Sequence, residues 1–174
     1  MGSVLAQLPV VLSLSLLCSS SALGQERVDA GNGVYYLDGA GPFVPMGFVV
    51  VRSTSDYVDA LRFAKRASRR LGVPLDLRGL IHDADHGLTW SRESCAADPL
   101  YPYPCYTARG RWEGTKHYIS IERSDAYRSM RPELFVVIAA TGEPKEMQAF
   151  AASVRATIPD AYAKAEDVYH GCMH

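Results

Sequence analysis

Phe48-Val49-Val50-Val51 and, 87 positions later, Phe135-Val136-Val137-Ile138 decide how this chain is read. Each is a continuous, largely β-branched apolar run of the kind that forms a strand buried on both faces. Each then runs into a helical pattern. After the first, Ser53, Thr54 and Ser55 offer N-cap hydroxyls. Tyr57, Ala60, Leu61, Ala64, Ala67 and Leu71 follow at helical spacing, Gly72 fits the C′ position, and Pro74 forbids continuation. After the second, Thr141-Gly142-Glu143-Pro144 opens a helix with its proline in the tolerated first turn. Met147, Phe150, Ala151, Val154 and Ile158 line one face of it, and Pro159 closes it. An alternating segment follows each helix: Leu75-Asp76-Leu77-Arg78 and Tyr162 to Tyr169.

Laid over one another without a gap, the two units match Phe48 with Phe135, Thr54 with Thr141 and Phe63 with Phe150, which reads as an internal repeat. Two βαβ units predict an α+β sandwich of the ferredoxin-like kind, an antiparallel sheet with two helices on one face and the Val-rich strands central. The units span 46–80 and 133–170 of a single domain, 46–170, entered through a Gly-rich arm, 25–45, with one short strand. The insertion between them, 81–132, carries a further strand, Tyr118 to Glu122. It is long enough to be expected either stapled or functional.

Residues 1–24 hold no charged side chain. Val10 to Leu17 is apolar, and Ala22 and Gly24 place a small-residue cleavage site before Gln25, the layout of a secretory signal peptide. The other reading is an uncleaved anchor over Val4 to Ala22. Export points to a periplasmic or secreted protein, attached to a membrane only if the segment is uncleaved. The net charge of −1 is spread along the chain without a basic block, which argues against nucleic acid. Cys95, Cys105 and Cys172 follow the signal segment. Three thiols allow three single bridges. Closing the short loop favours Cys95–Cys105 and leaves Cys172 over.

With its two "aromatic-Val-Val-x" strands, each running into an Ala-rich helix (Ala60, Ala64, Ala67; Ala149, Phe150, Ala151), the chain resembles the sporulation-related repeat (SPOR) domain. The resemblance covers Phe48 to Arg78 and Leu134 to Tyr169. It implies a βαββαβ fold and binding of peptidoglycan glycan strands stripped of stem peptides. The chain departs from the family in its long insertion and in Ser53-Thr54-Ser55 after the first strand.

A sheet with helices on one face leaves the other free. Leu75, Leu77, Ile119 and Ile121 are expected to face the helices. Asp76, Arg78, Tyr118, Ser120 and Glu122 are expected to face away, joined by Arg52, as a polar surface on which Tyr118 stacks on a sugar and the rest bond hydroxyls. No cofactor is implied, and no nucleophile elbow, phosphate loop or Cys-x-x-Cys marks an enzyme. His82-Asp83-Ala84-Asp85-His86 has metal-like spacing, but Gly87 follows and no Glu stands beside the first His. His170, Cys172 and His174 alternate as soft-metal ligands do, yet read more simply as a tail with a leftover thiol. Arg62, Lys65, Arg66, Arg69 and Arg70 give the first helix a basic face suited to an anionic polymer, a phospholipid surface or an acidic partner. The rival to glycan binding is an immunity or inhibitor protein that blocks a toxin or lytic enzyme through Tyr101, Tyr103 and Tyr106 on the stapled loop.

Overall fold

A computed structural model describes residues 27–30, 33–36, 43–97, 102–105 and 110–170. In chain order the elements are β1 (Arg27–Ala30), β2 (Gly33–Tyr36), β3 (Phe43–Thr54), α1 (Tyr57–Leu71), β4 (Ile81–Asp83), β5 (Gly87–Thr89), α2 (Arg92–Ala96), β6 (Ser120–Arg123), β7 (Phe135–Gly142), α3 (Pro144–Arg155) and β8 (Tyr162–Tyr169). β1 and β2 pair antiparallel, as do β4 and β5. The arm thus holds two strands where the sequence suggested one, and the main sheet begins at Phe43, ahead of the expected boundary at 46. Residues 1–26, with the expected signal segment, lie outside the described residues.

The main sheet is antiparallel, in the order β6-β7-β3-β8. The two Val-rich strands are central, as their unbroken apolar runs require. Odd and even positions of β3 then feed different layers. Val49 and Val51 join Ala60, Ala64 and Ala67 of α1 and Met147, Ala151 and Val154 of α3 in one core, so both helices cover the same face. Met46, Phe48 and Val50 join Val136, Ile138, Val168 and Tyr127 in a second core on the opposite face. Full burial of a Val, Phe or Met side chain contributes about 1.5–3 kcal/mol, so two cores hold these strands more firmly than one.

Asp56, not Ser53, Thr54 or Ser55, caps α1, its carboxylate accepting from the backbone N–H of Val58 and Asp59. A carboxylate at the N-cap also complements the helix dipole. Gly72, at φ +65°, ends the helix in the left-handed turn expected of it. α3 starts at Pro144 as expected but stops at Arg155, ahead of Pro159.

Leu75–Arg78 is not a strand. One parallel bridge, Leu75 to Ile119, ties it to the start of β6. Asp76 then accepts from the backbone N–H of Arg78 at 2.7 Å, and Arg78 and Gly79 take φ of +58° and +72°, so the chain turns away. Leu75 and Leu77 still pack toward the helices, as do Ile119 and Ile121. Cys95 and Cys105 are bridged, which closes the Pro- and Tyr-rich loop they flank. Among the described residues no helix is long and apolar enough to span a membrane.

Candidate functional site

The face away from the helices is not free, which corrects the sequence expectation. Gly110 to Lys116 forms a strap over it, and the segment from Ser124 to Met130 closes beside the strap. The strap is pinned at both ends. Gly110 packs so tightly on Tyr127 that a Cβ there would stand 2.5 Å from the ring. At the other end Lys116 and Thr141 exchange backbone hydrogen bonds at 2.9 Å, and the Thr141 hydroxyl donates to the Gly114 carbonyl at 2.8 Å. In the closing segment the Tyr127 ring meets Phe48 edge-on at 5.0 Å. Ser129 donates both its backbone N–H (3.1 Å) and its hydroxyl (2.6 Å) to the buried Glu166 of β8.

Arg111, carried in by the strap, has no exposed surface. Its Nη1 donates to the Tyr118 carbonyl at 2.9 Å and its Nη2 to the Lys116 carbonyl at 3.2 Å. Nη1 also lies 3.4 Å from the Ser120 hydroxyl, and the guanidinium covers the Tyr118 ring at 3.5 Å, a close cation–π contact. The Arg111 backbone N–H donates to the Tyr127 hydroxyl at 3.1 Å. A second arginine enters from the turn after α1: Arg78 donates to Glu122 at 2.9 Å and lies 3.7 Å from Glu113. Glu113 in turn accepts from the Tyr118 hydroxyl at 2.8 Å.

Two cations, two carboxylates, two phenols and a hydroxyl therefore form one network, graded from dry to wet. Arg111, Ser120, Glu122 and Tyr127 are buried, whereas Arg78, Glu113 and Tyr118 are partly exposed and form its rim. Burial pushes the Glu122 carboxyl above its ordinary range, against the pull of Arg78, Ser120 and Arg111. Burial likewise raises the Tyr127 phenol and lowers the Arg111 guanidinium. At the rim, burial would raise the Glu113 carboxyl, but its own backbone N–H, the Tyr118 hydroxyl and Arg78 together hold it low. Arg111 Nε and Glu122 Oε1 are buried without a hydrogen bond of ordinary geometry. Such orphans are uncommon in packed interiors.

Four of the six residues expected to form the polar face, Arg78, Tyr118, Ser120 and Glu122, are thus brought together. The other two are elsewhere. Arg52 donates to Asp59 of α1 at 2.9 Å, and Asp76 is spent on the turn before Arg78. Arg111, Glu113 and Tyr127 were missed. They lie in the insertion without periodicity, and nothing in the sequence separates them from other surface residues.

The second cluster ties the β4–β5 hairpin to the stapled loop. Asp83 accepts from the Tyr103 hydroxyl, and its other oxygen is 2.8 Å from His86 Nδ1. Those two contacts, with backbone N–H donors, hold the Asp83 carboxyl far below the usual carboxylate range. Arg92 of α2 lies 3.9 Å over the Tyr103 ring. His82 stacks on Tyr57 at 4.4 Å. His170 lies 3.4 Å from the Met46 sulfur and meets Trp112 at 6.1 Å. Tyr101, Tyr106, Cys172 and His174 lie outside the described residues.

The fold and site define an α+β protein whose antiparallel sheet carries helices on one face and a strapped, charged network on the other. No family model, curated protein or solved structure matches the chain.

Proposed function

We propose that this chain is an exported cell-envelope protein that binds peptidoglycan glycan strands through the rim of the strapped network. We also propose that its fold is the ferredoxin-like double βαβ sandwich of the SPOR type. Numbered within the main sheet alone, the strands lie in the order second, third, first, fourth, all antiparallel, which is the order of two interlocked βαβ units in which β6 of the insertion takes the edge place expected of Leu75–Arg78. The repeat reading draws on the same geometry: α1 and α3 begin at Tyr57 and Pro144, again 87 positions apart, and Phe48–Thr54 pairs with Phe135–Thr141 across two register shifts around Val50.

The observation that carries the functional reading is the rim itself. Arg78, Glu113 and Tyr118 present a fork of donors, a carboxylate acceptor and an aromatic ring, partly exposed and held from below by buried partners. Sugars are recognised by that combination, fixed hydroxyl partners beside an aromatic face, and rigid support limits the ordering cost of binding. The rival reading is inhibition through the tyrosine loop, where Tyr103 is held by Asp83 and Arg92 much as Tyr118 is held by Glu113 and Arg111, and the binding assay separates the two.

The test is co-sedimentation with purified peptidoglycan, before and after an amidase removes the stem peptides. Binding should increase on stripped glycan. It should fall in Glu113→Gln, which removes the charged acceptor, and in Tyr118→Leu, which removes the aromatic face, and survive Tyr103→Phe. Absence of sedimentation with either material sinks the glycan reading and moves the case to a protein partner.

A further inference from the structure

α1 carries two opposed stripes. Ala60, Ala64, Ala67 and Leu71 turn toward the core. Two positions before each, about 200° around the helix, stand Val58, Arg62, Lys65 and Arg69, all exposed. Arg66 and Arg70 flank that outer stripe. Asp59, the single acid on the helix, is already engaged by Arg52 at 2.9 Å and acts on Arg62 and Arg66 only at longer range. Arg70 donates to the Thr157 carbonyl. No hydrogen bond or ion pair ties Arg62, Lys65 or Arg69 to another described residue. Five of the chain's 18 cations and one of its 19 acids fall on α1, so the helix bears +4 and the rest of the chain −5. A net charge of −1 conceals this segregation.

The helix dipole explains cations in the last turn, Arg69 and Arg70, but its influence does not extend back to Arg62 and Lys65. The shape of the surface narrows the partner. The stripe is the convex outer side of a helix seated on a sheet, which fits a broad flat array of anions better than an enclosed small ligand. Val58, 59% exposed, stands in line with the cations at the N-terminal end. An apolar side chain in a row of cations gains from an interface where headgroups overlie acyl chains, and gains little from a soluble polyanion.

We propose that the outer stripe of α1, Val58, Arg62, Lys65 and Arg69 with Arg66, is an adsorption surface for the anionic headgroups of a phospholipid bilayer. The strapped network lies on the opposite side of the sheet, so a molecule adsorbed through α1 presents its rim away from the lipid. This surface does not depend on the glycan reading.

The experiment is vesicle co-sedimentation of the full chain with phosphatidylcholine alone and with phosphatidylcholine plus phosphatidylglycerol. The comparison is with Arg62→Gln/Lys65→Gln/Arg69→Gln and with Val58→Ala, each checked for native circular dichroism. Binding to phosphatidylcholine alone reports any attachment by another part of the chain and is subtracted before the proteins are compared. The wild type should prefer anionic vesicles at low salt. That preference should fade between about 0.01 and 0.15 M salt as the Debye length shortens from about 30 to 8 Å. Each cation removed should lower partitioning about fivefold, so the triple variant should bind on the order of a hundredfold more weakly. Val58→Ala should lower it measurably. Equal partitioning of the wild type and a folded triple variant overturns the proposal. So does a wild type that ignores phosphatidylglycerol, or one that soluble polyphosphate removes from vesicles while Val58→Ala binds unchanged, which would make the partner a polyanion in solution.

Discussion

Replacing Arg78 with Met tests whether Glu122 is a buried charge held by its partner. Glu122 has no exposed surface, while the Arg78 side chain keeps 20% of its own and donates to it at 2.9 Å. Removing one member of a buried ion pair typically costs about 3–5 kcal/mol because the other is left uncompensated. Arg111 stands nearby as a second cation and Arg78 is only partly buried, which places Arg78→Met nearer about 2–3 kcal/mol at neutral pH. Glu122→Gln, which removes a charge that burial already opposes, should cost about 1 kcal/mol. The double variant should lose about 1–2 kcal/mol less than the sum, since the two residues share one interaction. The pH dependence fixes the cause. Burial raises the Glu122 pKa above its ordinary 4.5, so the folded state holds that proton more tightly than the unfolded chain. Stability linked to it is present at low pH and lost as pH rises through the folded value. Without Arg78 that value moves further up. The cost of Arg78→Met should therefore be larger at neutral pH than at a pH near the ordinary 4.5 of the group, where Glu122 takes up its proton. Urea titrations at the two pH values, with and without Glu122→Gln, measure this. A cost of the same size at both would refute the reasoning, because a group that stays ionised, or was never held as an ion, gives no such slope.

Other perturbations probe the remaining supports. The Cys95–Cys105 bridge spans 10 residues of separation. Replacing both cysteines with Ser should lower stability by about 2–3 kcal/mol, read from urea midpoints at constant m. At Gly47 a Cβ would lie 2.7 Å from the Pro144 backbone and 2.9 Å from the Met147 side chain. Gly47→Ala should cost about 2–3 kcal/mol by overpacking α3 against β3, seen as a lower Tm. The Asp83 carboxyl is held low chiefly by the Tyr103 hydroxyl and then by His86. Its contribution is complete above the unfolded pKa near 3.8 and lost as pH falls through the folded value. The stability gap between wild type and Asp83→Asn should therefore narrow on acidification, and a gap that widens would reverse the assignment.

What the sequence made legible was whatever periodicity controls. Phe48 to Val51 and Phe135 to Ile138 are apolar without interruption because both of their faces are buried, so their central places could be read directly. Leu75, Leu77, Ile119 and Ile121 were read onto the helix side because alternation in an extended segment depends only on which side is wet. The same rule failed at Leu75–Arg78 as a strand. There an aspartate bonded to its own turn and two residues of positive φ outweighed the pattern, and both effects are local chemistry that alternation does not register. It failed again at Ser120 and Glu122, since polar residues at alternate positions read as a solvated face unless something covers them. The cover is the strap, and Arg111 and Tyr127 reach the sheet through loop geometry that leaves no spacing to detect.

The strap changes which residues this face of the sheet presents to solvent. An open sheet would offer a ligand Ser120 and Glu122 directly, at the cost of leaving Phe48, Val50 and Ile138 wet. The segment from Ser124 to Met130 buries those apolar side chains, and the strap beside it moves the polar chemistry outward to Arg78, Glu113 and Tyr118, whose positions are then set by partners that solvent does not reach. Hydrogen bonds in such an interior are electrostatically stronger than in water, and unpaired groups there are costlier. The rim is therefore rigid as long as Arg111 and Glu122 keep their partners. A substitution at either should alter the rim without touching any ligand. If the rim binds glycan as proposed, Arg111→Met has a distinct signature from Glu113→Gln in the peptidoglycan assay: weaker binding together with a strongly lowered urea midpoint, where Glu113→Gln weakens binding with a smaller loss of midpoint. If Arg111→Met weakens binding with no greater loss of midpoint than Glu113→Gln, Arg111 acts on the ligand directly and the supporting role assigned to it is wrong.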